Sequence, residues 1–311
     1  MTKGLIYHII RSMSLNNNNF RTGYATIIGK PNVGKSTLLN KLLAVKISAV
    51  TPKPQTTRKK VVAIYNDEES QIIFFDTPGI FEPNYELQKI MVKTAIQSLG
   101  DAEIILYMID AKKQDIDRFF LKTLERVEKP VFLIINKIDL VDKNIILPLI
   151  AKSHDLFPFK EIIPISALKD TNTDDVITSL KKHLPVGPPL YPQDTISSQP
   201  ERFFVSETIR EKIFIHFGEE IPYNTAVYIE EFREAEEQKK AFIRAIIIVE
   251  RDSHKKIIIG KRGEAVKNIG ISARKDIEHF LGRPIFLELF VKTKKKWREN
   301  IPLLRDIGYL S

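Results

Sequence analysis

The sequence predicts an α/β domain, a mainly parallel sheet with helices on both faces, followed by a smaller α+β domain. Three observations carry that expectation. From Tyr24 to about Leu184, β-rich runs alternate with helical patterns. The stretch LPVGPPLYPQDTISSQP at 184–200 is rich in proline and turn formers and has no period. Beyond it the order changes to helix, two strands, two helices and a strand.

YATIIG (24–29) reads as an apolar strand running into a glycine-containing loop, and STLLNKLL then spaces Leu38, Leu39, Leu42 and Leu43 for a helix. VVAIYN (61–66) and QIIFFD (71–76) read as a hairpin pair. EIILYMID (103–110), VFLIINK (131–137) and EIIPIS (161–166) are continuous apolar runs, as expected of strands buried on both faces. Helical stretches lie near 85–99, 114–128, 145–157 and 174–184. In the second domain a helix (202–217) precedes strands 225–232 and 241–250. A short helix (253–259), a loop, a longer helix (264–281) and a strand (285–292) follow. The expected partition is a disordered extension over 1–22, a nucleotide-binding domain over 23–184, a linker over 185–201 and a second domain over 202–311.

Composition excludes several chemistries. With no cysteine among 311 residues there is no disulfide, thiolate metal site or cysteine nucleophile. No apolar run approaches the roughly 20 residues of a membrane span. The net charge of +9 is concentrated: residues 251–306 carry fifteen Lys/Arg against seven Asp/Glu, whereas 201–250 carry seven against eleven. A local surplus of this kind suits a polyanion, nucleic acid or an anionic membrane surface. The first twenty residues hold two bases and no acid; LIYHII is too short for a signal-peptide core, and Met13 is an alternative start. The alternative to a disordered extension is a weak organellar transit peptide.

GKPNVGKS (29–36) fits G-x-x-x-x-G-K-[ST] after a strand and before a helix, where backbone N–H groups converge on phosphates. The loop Gly29, Lys30, Pro31, Asn32, Val33, Gly34, Lys35, Ser36 and Thr37 is the candidate phosphate cradle. Lys35 is expected at the β- and γ-phosphates, and Ser36 on Mg²⁺. NKID (136–139) ends a buried strand, the edge at which open sheets hold ligands. Asp139 there accepts from guanine N1–H and the 2-amino group, which adenine does not offer. Asn136 and Lys137 hold the ring and its loop. SAL (Ser166, Ala167, Leu168) is expected to supply an N–H to guanine O6. DTPG (Asp76, Thr77, Pro78, Gly79) ends another strand, with Asp76 holding Mg²⁺ through water and the Gly79 N–H at the γ-phosphate. In PQTTR (54–58), Thr57, with Thr56 as the alternative, completes the metal shell in a segment that orders with GTP. Lys35, Thr57 and Gly79 are the catalytic candidates. The position that carries a water-orienting glutamine in Ras-type GTPases is Ile80, so slow intrinsic turnover is expected.

IIGKRGEAVKNIG (258–270) holds a G-x-x-G between apolar residues in an α-β-β-α-α-β order, which matches a type II KH domain. Such a turn clamps about four unpaired nucleotides. Ile259, Gly260, Lys261, Arg262, Gly263 and Lys267 are the RNA-binding candidates. Trp297, within KTKKKWREN, is expected either to stack on a base or to pack against its own domain.

The nucleotide-loop motifs resemble the TrmE–Era branch of translation-factor-like GTPases. From Tyr24 to Ser311 the chain resembles the Era family of bacterial GTPases. The carriers are ETIREKI (207–213), VERDSHKKIIIGKRG (249–263), IGISARKDIEHFLG (269–282), LELFVKTKKKWREN (287–300) and LRDIGY (304–309). The resemblance implies GTP/GDP and Mg²⁺ as cofactors, and K⁺ near Asn32. It implies a role in small ribosomal subunit assembly, with 16S rRNA near its 3′ end as the partner. It further implies a monomer in the cytoplasm, in peripheral contact with the inner membrane.

Overall fold

A computed structural model of the chain describes residues 19–114, 116–218, 220–234 and 240–310. The chain forms two compact units. The first takes residues up to Lys46, Lys60–Thr77 and Ala95–Ser198; the second takes Ile47–Lys59, Pro78–Thr94 and Gln199 onward. Two short segments that precede residue 184 therefore fold with the second unit, a division local sequence gives no hint of.

The first unit is a six-stranded sheet. In chain order its strands are β1 (Arg21–Ile28), β2 (Val61–Asn66), β3 (Ser70–Asp76), β4 (Ile104–Asp110), β5 (Val131–Asn136) and β6 (Glu161–Pro164). Their spatial order is β2-β3-β1-β4-β5-β6, with only β2 antiparallel. Every residue of β3, β4 and β5 is buried, as continuous apolar runs demand of central strands. β1 already contains Arg21 and Thr22, so the expected extension over 1–22 is too long at its C-terminal end. Its first eighteen residues lie outside those described.

Helices α1 (Lys35–Leu42), α2 (Glu86–Asp101), α3 (Arg118–Leu124), α4 (Lys143–Leu156) and α5 (Thr173–His183) alternate with the strands, the part of α2 up to Thr94 belonging to the second unit. The proline-rich stretch after α5 is bound along the first unit. Thr22 N–H donates to the Pro185 carbonyl and Ile64 N–H to that of Ile196. The Gln71 amide donates to the Tyr191 carbonyl and accepts from the Leu190 and Tyr191 N–H groups.

The second unit has helix α6 (Glu201–His216), strands β7 (Thr225–Arg233) and β8 (Ala241–Val249), helices α7 (Asp252–Ile259) and α8 (Glu264–Leu281), strand β9 (Ile285–Thr293) and a last helix α9 (Ile301–Asp306). β8 is central, antiparallel to β7 and parallel to β9. Its inward residues Ala241, Ile243, Ala245 and Ile247 join Ile209 and Ile213 of α6 and Ile269, Ala273 and Ile277 of α8 in one core. Its opposite face, Ile246 and Ile248, is covered as well, by Leu87 and Met91 of α2 with Trp297, Leu304 and Ile307.

Candidate nucleotide and nucleic-acid sites

The strand β1 delivers the chain into the first loop, and Gly34 precedes α1 as its N-cap with no side-chain cap hydrogen bond, a helix N-terminus of the kind that favours anions. Gly34 has φ 105°, and a Cβ there would run into the Asn136 amide. Only glycine fits this close approach. The Lys35 side chain is buried, and its ammonium donates to the carbonyls of Gly29 (3.2 Å) and Lys30 (3.1 Å). Burial lowers its pKa to about 8, against the pull of Asp76. Around it, Lys30 pairs with Asp117 at 3.5 Å and Val33 is buried.

At the end of β3, Asp76 Oδ2 accepts from Ser36 Oγ at 2.6 Å, and Thr77 Oγ1 donates to the Ile27 carbonyl at 2.8 Å. The expected metal pair Ser36 and Asp76 is thus together, a set of hard oxygen donors of the kind Mg²⁺ takes. Among the described residues there is no group of three or more His, Cys, Asp or Glu able to hold a metal alone.

The base-side residues form a second cluster. Buried Asn136 donates to the Val33 carbonyl (2.8 Å), and its oxygen accepts from the Ala167 N–H (3.0 Å). Lys137, at φ 67°, donates to the Asn32 carbonyl (2.7 Å) and to Asp110 Oδ2 (2.8 Å). Ser166 Oγ donates to Asp139 Oδ1 at 2.5 Å and so aims a carboxylate that is exposed at the strand edge. Ala167's N–H is engaged with Asn136, while the Leu168 side chain is exposed. Asp110, which closes β4 as Asp76 closes β3, is absent from the residues expected of the site. An acid ending an otherwise apolar strand was the available signal.

Thr57, Pro78 and Gly79 belong to the second unit. The Thr56 hydroxyl is engaged with that of Thr51 (2.6 Å) and with the Lys53 carbonyl (2.8 Å).

In the second unit α7 stops at Gly260, whose φ is 74° and whose place a Cβ would dispute with Ala265. A short turn, Lys261–Gly263, leads into α8, with Arg262 at φ 51°. Lys261, Arg262 and Lys267 are exposed, and Ile259 is half-buried. Beside the turn lies a groove of about 290 Å³. Val266, Gly270 and Ile271 of α8 form one wall and Phe286 and Leu289 of β9 the other, with Lys267 and Arg274 at the rim. Ile271 and Phe286 are each more than half exposed, an apolar surface that suits unpaired bases. Sequence reasoning found the turn and missed the β9 wall. Trp297 is fully buried, and its indole N–H donates to the Asn224 carbonyl at 3.0 Å, so it packs and does not stack on a base.

Comparison with known proteins finds similarity at both sites. The family described as 50S ribosome-binding GTPase matches residues 24–137, and the KH domain family matches 220–298. The chain is 45% identical over 292 residues to GTPase Era of Geotalea daltonii, covering 93% of this chain and 98% of that one. To GTPase Era of Geobacter metallireducens it is 43% identical over 297 residues, covering 95% and 100%. A crystal structure of a tyrosine-to-alanine variant of Aquifex aeolicus Era bound to GDP·AlF4⁻ superposes with a TM-score of 0.90 at 43% identity, over 94% of this chain and all of that one. A structure of Era with MgGDPNP and nucleotides 1506–1542 of 16S ribosomal RNA gives 0.91 at 43% identity, over the same shares.

Proposed function

The chain belongs to the GTPase Era family, whose members hydrolyse GTP, and from that premise we propose an RNA-binding GTPase switch in small ribosomal subunit assembly. Residues 23–184 serve as the GTP-binding domain and 202–311 as the KH domain. GTP with Mg²⁺ favours the RNA-competent state, and hydrolysis to GDP releases the RNA, single-stranded 16S rRNA near its 3′ end. The observation that carries the reading is the Asn136 bridge, which makes the phosphate loop and the guanine-reading loop one unit, in a chain that also presents a G-x-x-G turn beside an apolar groove.

This chain's own residues divide the work. Gly29–Thr37 surrounds the phosphates, Lys35 brings positive charge to the β- and γ-phosphates, and Asp139, aimed by Ser166, reads the guanine edge. Mg²⁺ neutralises phosphate charge when bound, and Ser36, Asp76 through water, and Thr57 are the residues to hold it. Thr56 is the alternative to Thr57. The Gly79 N–H meets the γ-phosphate. Ile80 brings no polar head to the attacking water, which supports K⁺ beside Asn32 as an aid and slow turnover without a partner. The reading extends to a monomer in the cytoplasm with peripheral contact to the inner membrane. No helix among the described residues is long and apolar enough to cross one.

The test is affinity for a short single strand from the 3′ end of 16S rRNA, with GDP and with GDPNP at one fixed salt. Tighter binding with GDPNP is expected. Equal binding in the two states overturns the switch and leaves the two sites standing.

A further inference from the structure

The segment Ile47–Lys59 is held to the second unit by its own side chains and carbonyls. Arg58 is buried, and its guanidinium donates to three carbonyls: Thr225 (2.7 Å), Pro222 (2.9 Å) and Tyr223 (3.2 Å). It also lies over the Phe214 ring, 5.6 Å from its centre. On the other side of Thr57, the Thr56 carbonyl accepts from Arg210, which is itself paired with Glu207. Further back, Lys53 donates to the carbonyls of Phe214 and Phe217, and Val50 N–H to Glu211 Oε1 at 3.0 Å. The chain is therefore held by the Thr56 carbonyl immediately before Thr57 and by the Arg58 side chain immediately after it.

The cage around Arg58 is unusual in its chemistry. Its hydrogen bonds go to neutral groups, three carbonyls and the Tyr309 side chain, and Glu207 is hydrogen-bonded to Arg210 instead. Burial presses against the charged form of Arg58, as does the neighbouring Arg210 charge, while Tyr309 and Tyr85 support it; the net effect is a lowered pKa. A guanidinium paired with a buried carboxylate is hard to withdraw, because the acid is left stranded. One held by neutral carbonyls leaves no stranded charge and is suited to docking and release.

We propose that Arg58 is a positioning residue that couples the Thr57 hydroxyl to the RNA-binding unit, so that one arrangement of residues 56–58 answers to both nucleotide and RNA. The inference rests on the reading of Thr57 as a ligand of the metal shell. Coupling of this kind is reciprocal: RNA must change GDPNP affinity by the factor by which GDPNP changes RNA affinity.

The test uses the full chain and four measurements: RNA affinity with GDP and with GDPNP, and GDPNP affinity with and without RNA. In the unaltered protein the two ratios are expected to agree, at about fivefold or more. Arg58→Ala and Arg58→Lys are expected to bring both ratios to about 1, with GDP affinity held. Lysine keeps the charge and lacks the fork that reaches three carbonyls. Loss of GDP affinity and a lowered thermal midpoint would mark misfolding of Arg58→Ala, in which case Arg58→Lys and Lys53→Ala decide. Folded variants that keep the unaltered ratio overturn the role of Arg58 and leave the switch intact. A ratio of 1 in the unaltered protein overturns both.

Discussion

The side-chain amide of Asn136 donates to the carbonyl of Val33 across 103 residues of chain, at 2.8 Å. Its other end accepts from Ala167, so one small side chain ties three loops. Asn136→Ala strands a carbonyl and an N–H, each costing about 1–3 kcal/mol when left buried. Guanine nucleotide affinity is expected to fall at least about tenfold by calorimetric titration, and the thermal midpoint by roughly 2–4 °C per kcal/mol lost. Unchanged affinity would show that the bridge is not what shapes the pocket.

In the proposed reading Asp139 recognises guanine by accepting two hydrogen bonds, from N1–H and from the 2-amino group. An amide in place of this carboxylate would offer a donor where guanine N2 also donates, and would match xanthine, whose 2-oxo group accepts. Asp139→Asn is expected to lower GTP affinity by about 10²–10⁴-fold and to raise affinity for xanthosine nucleotides. Competition with the two triphosphates reads this out, and an unaltered preference would remove Asp139 from base recognition.

Gly260 tests the RNA site alone. Gly260→Asp adds a Cβ against Ala265 at φ 74° and a negative charge beside Lys261 and Arg262. RNA binding is expected to be lost, with GDP affinity within about twofold, since the added side chain meets only Ala265 and none of the residues assigned to the nucleotide. Retained RNA binding would move the interface elsewhere.

Trp297 separates packing from recognition. Trp297→Ala empties a fully buried site and frees the Asn224 carbonyl, so chemical denaturation should show a loss of about 3–5 kcal/mol. At a temperature where the variant is folded, RNA affinity is expected to be unchanged. A selective loss of RNA binding would restore the stacking role.

Lys35 gives a pH signature. Its folded pKa is lowered to about 8 from 10.5, so between those values the unfolded chain holds the extra proton and stability rises with pH. Phosphates restore the charged form. Binding of GDP above pH 8 should therefore take up a proton, seen as a dependence of the measured heat on buffer ionisation enthalpy. Affinity should weaken by up to about tenfold per pH unit there. Lys35→Met should abolish the uptake.

Much of this architecture is legible in the residues. The strands of the first unit are apolar runs bounded by loops that bear the motifs, and every strand predicted in both units is present. The residues of the glycine loop and of the strand ends are legible because backbone geometry forces their types: glycine where an amide approaches, acids at strand ends. What escapes is non-local. Ile246, Ile247, Ile248 and Val249 form an unbroken apolar run, which signals that β8 is covered on both faces. Nothing near it in sequence says that Leu87 and Met91, some 150 residues earlier, do the covering. Phe286 and Leu289 likewise read as ordinary strand residues until α8 lies beside them. Trp297 sits in a run of lysines and arginine that argues for exposure, yet its ring is the largest fully buried side chain. Composition describes the neighbourhood and says little about one side chain's direction.

The proline-rich stretch after α5 has a consequence for self-association. β2 ends the six-stranded sheet, and an uncovered edge of that kind recruits strands from other molecules. Here Ile196 takes the Ile64 N–H, Ser197 reaches the Val62 carbonyl and Thr195 occupies Asn66. Three prolines of the stretch, Pro188, Pro189 and Pro192, lack the N–H by which a further strand would add. Replacing 188–198 with a glycine–serine tether of equal length would preserve the connection and unmask the edge. The cost would be read in light scattering at high concentration, well before any change in nucleotide binding.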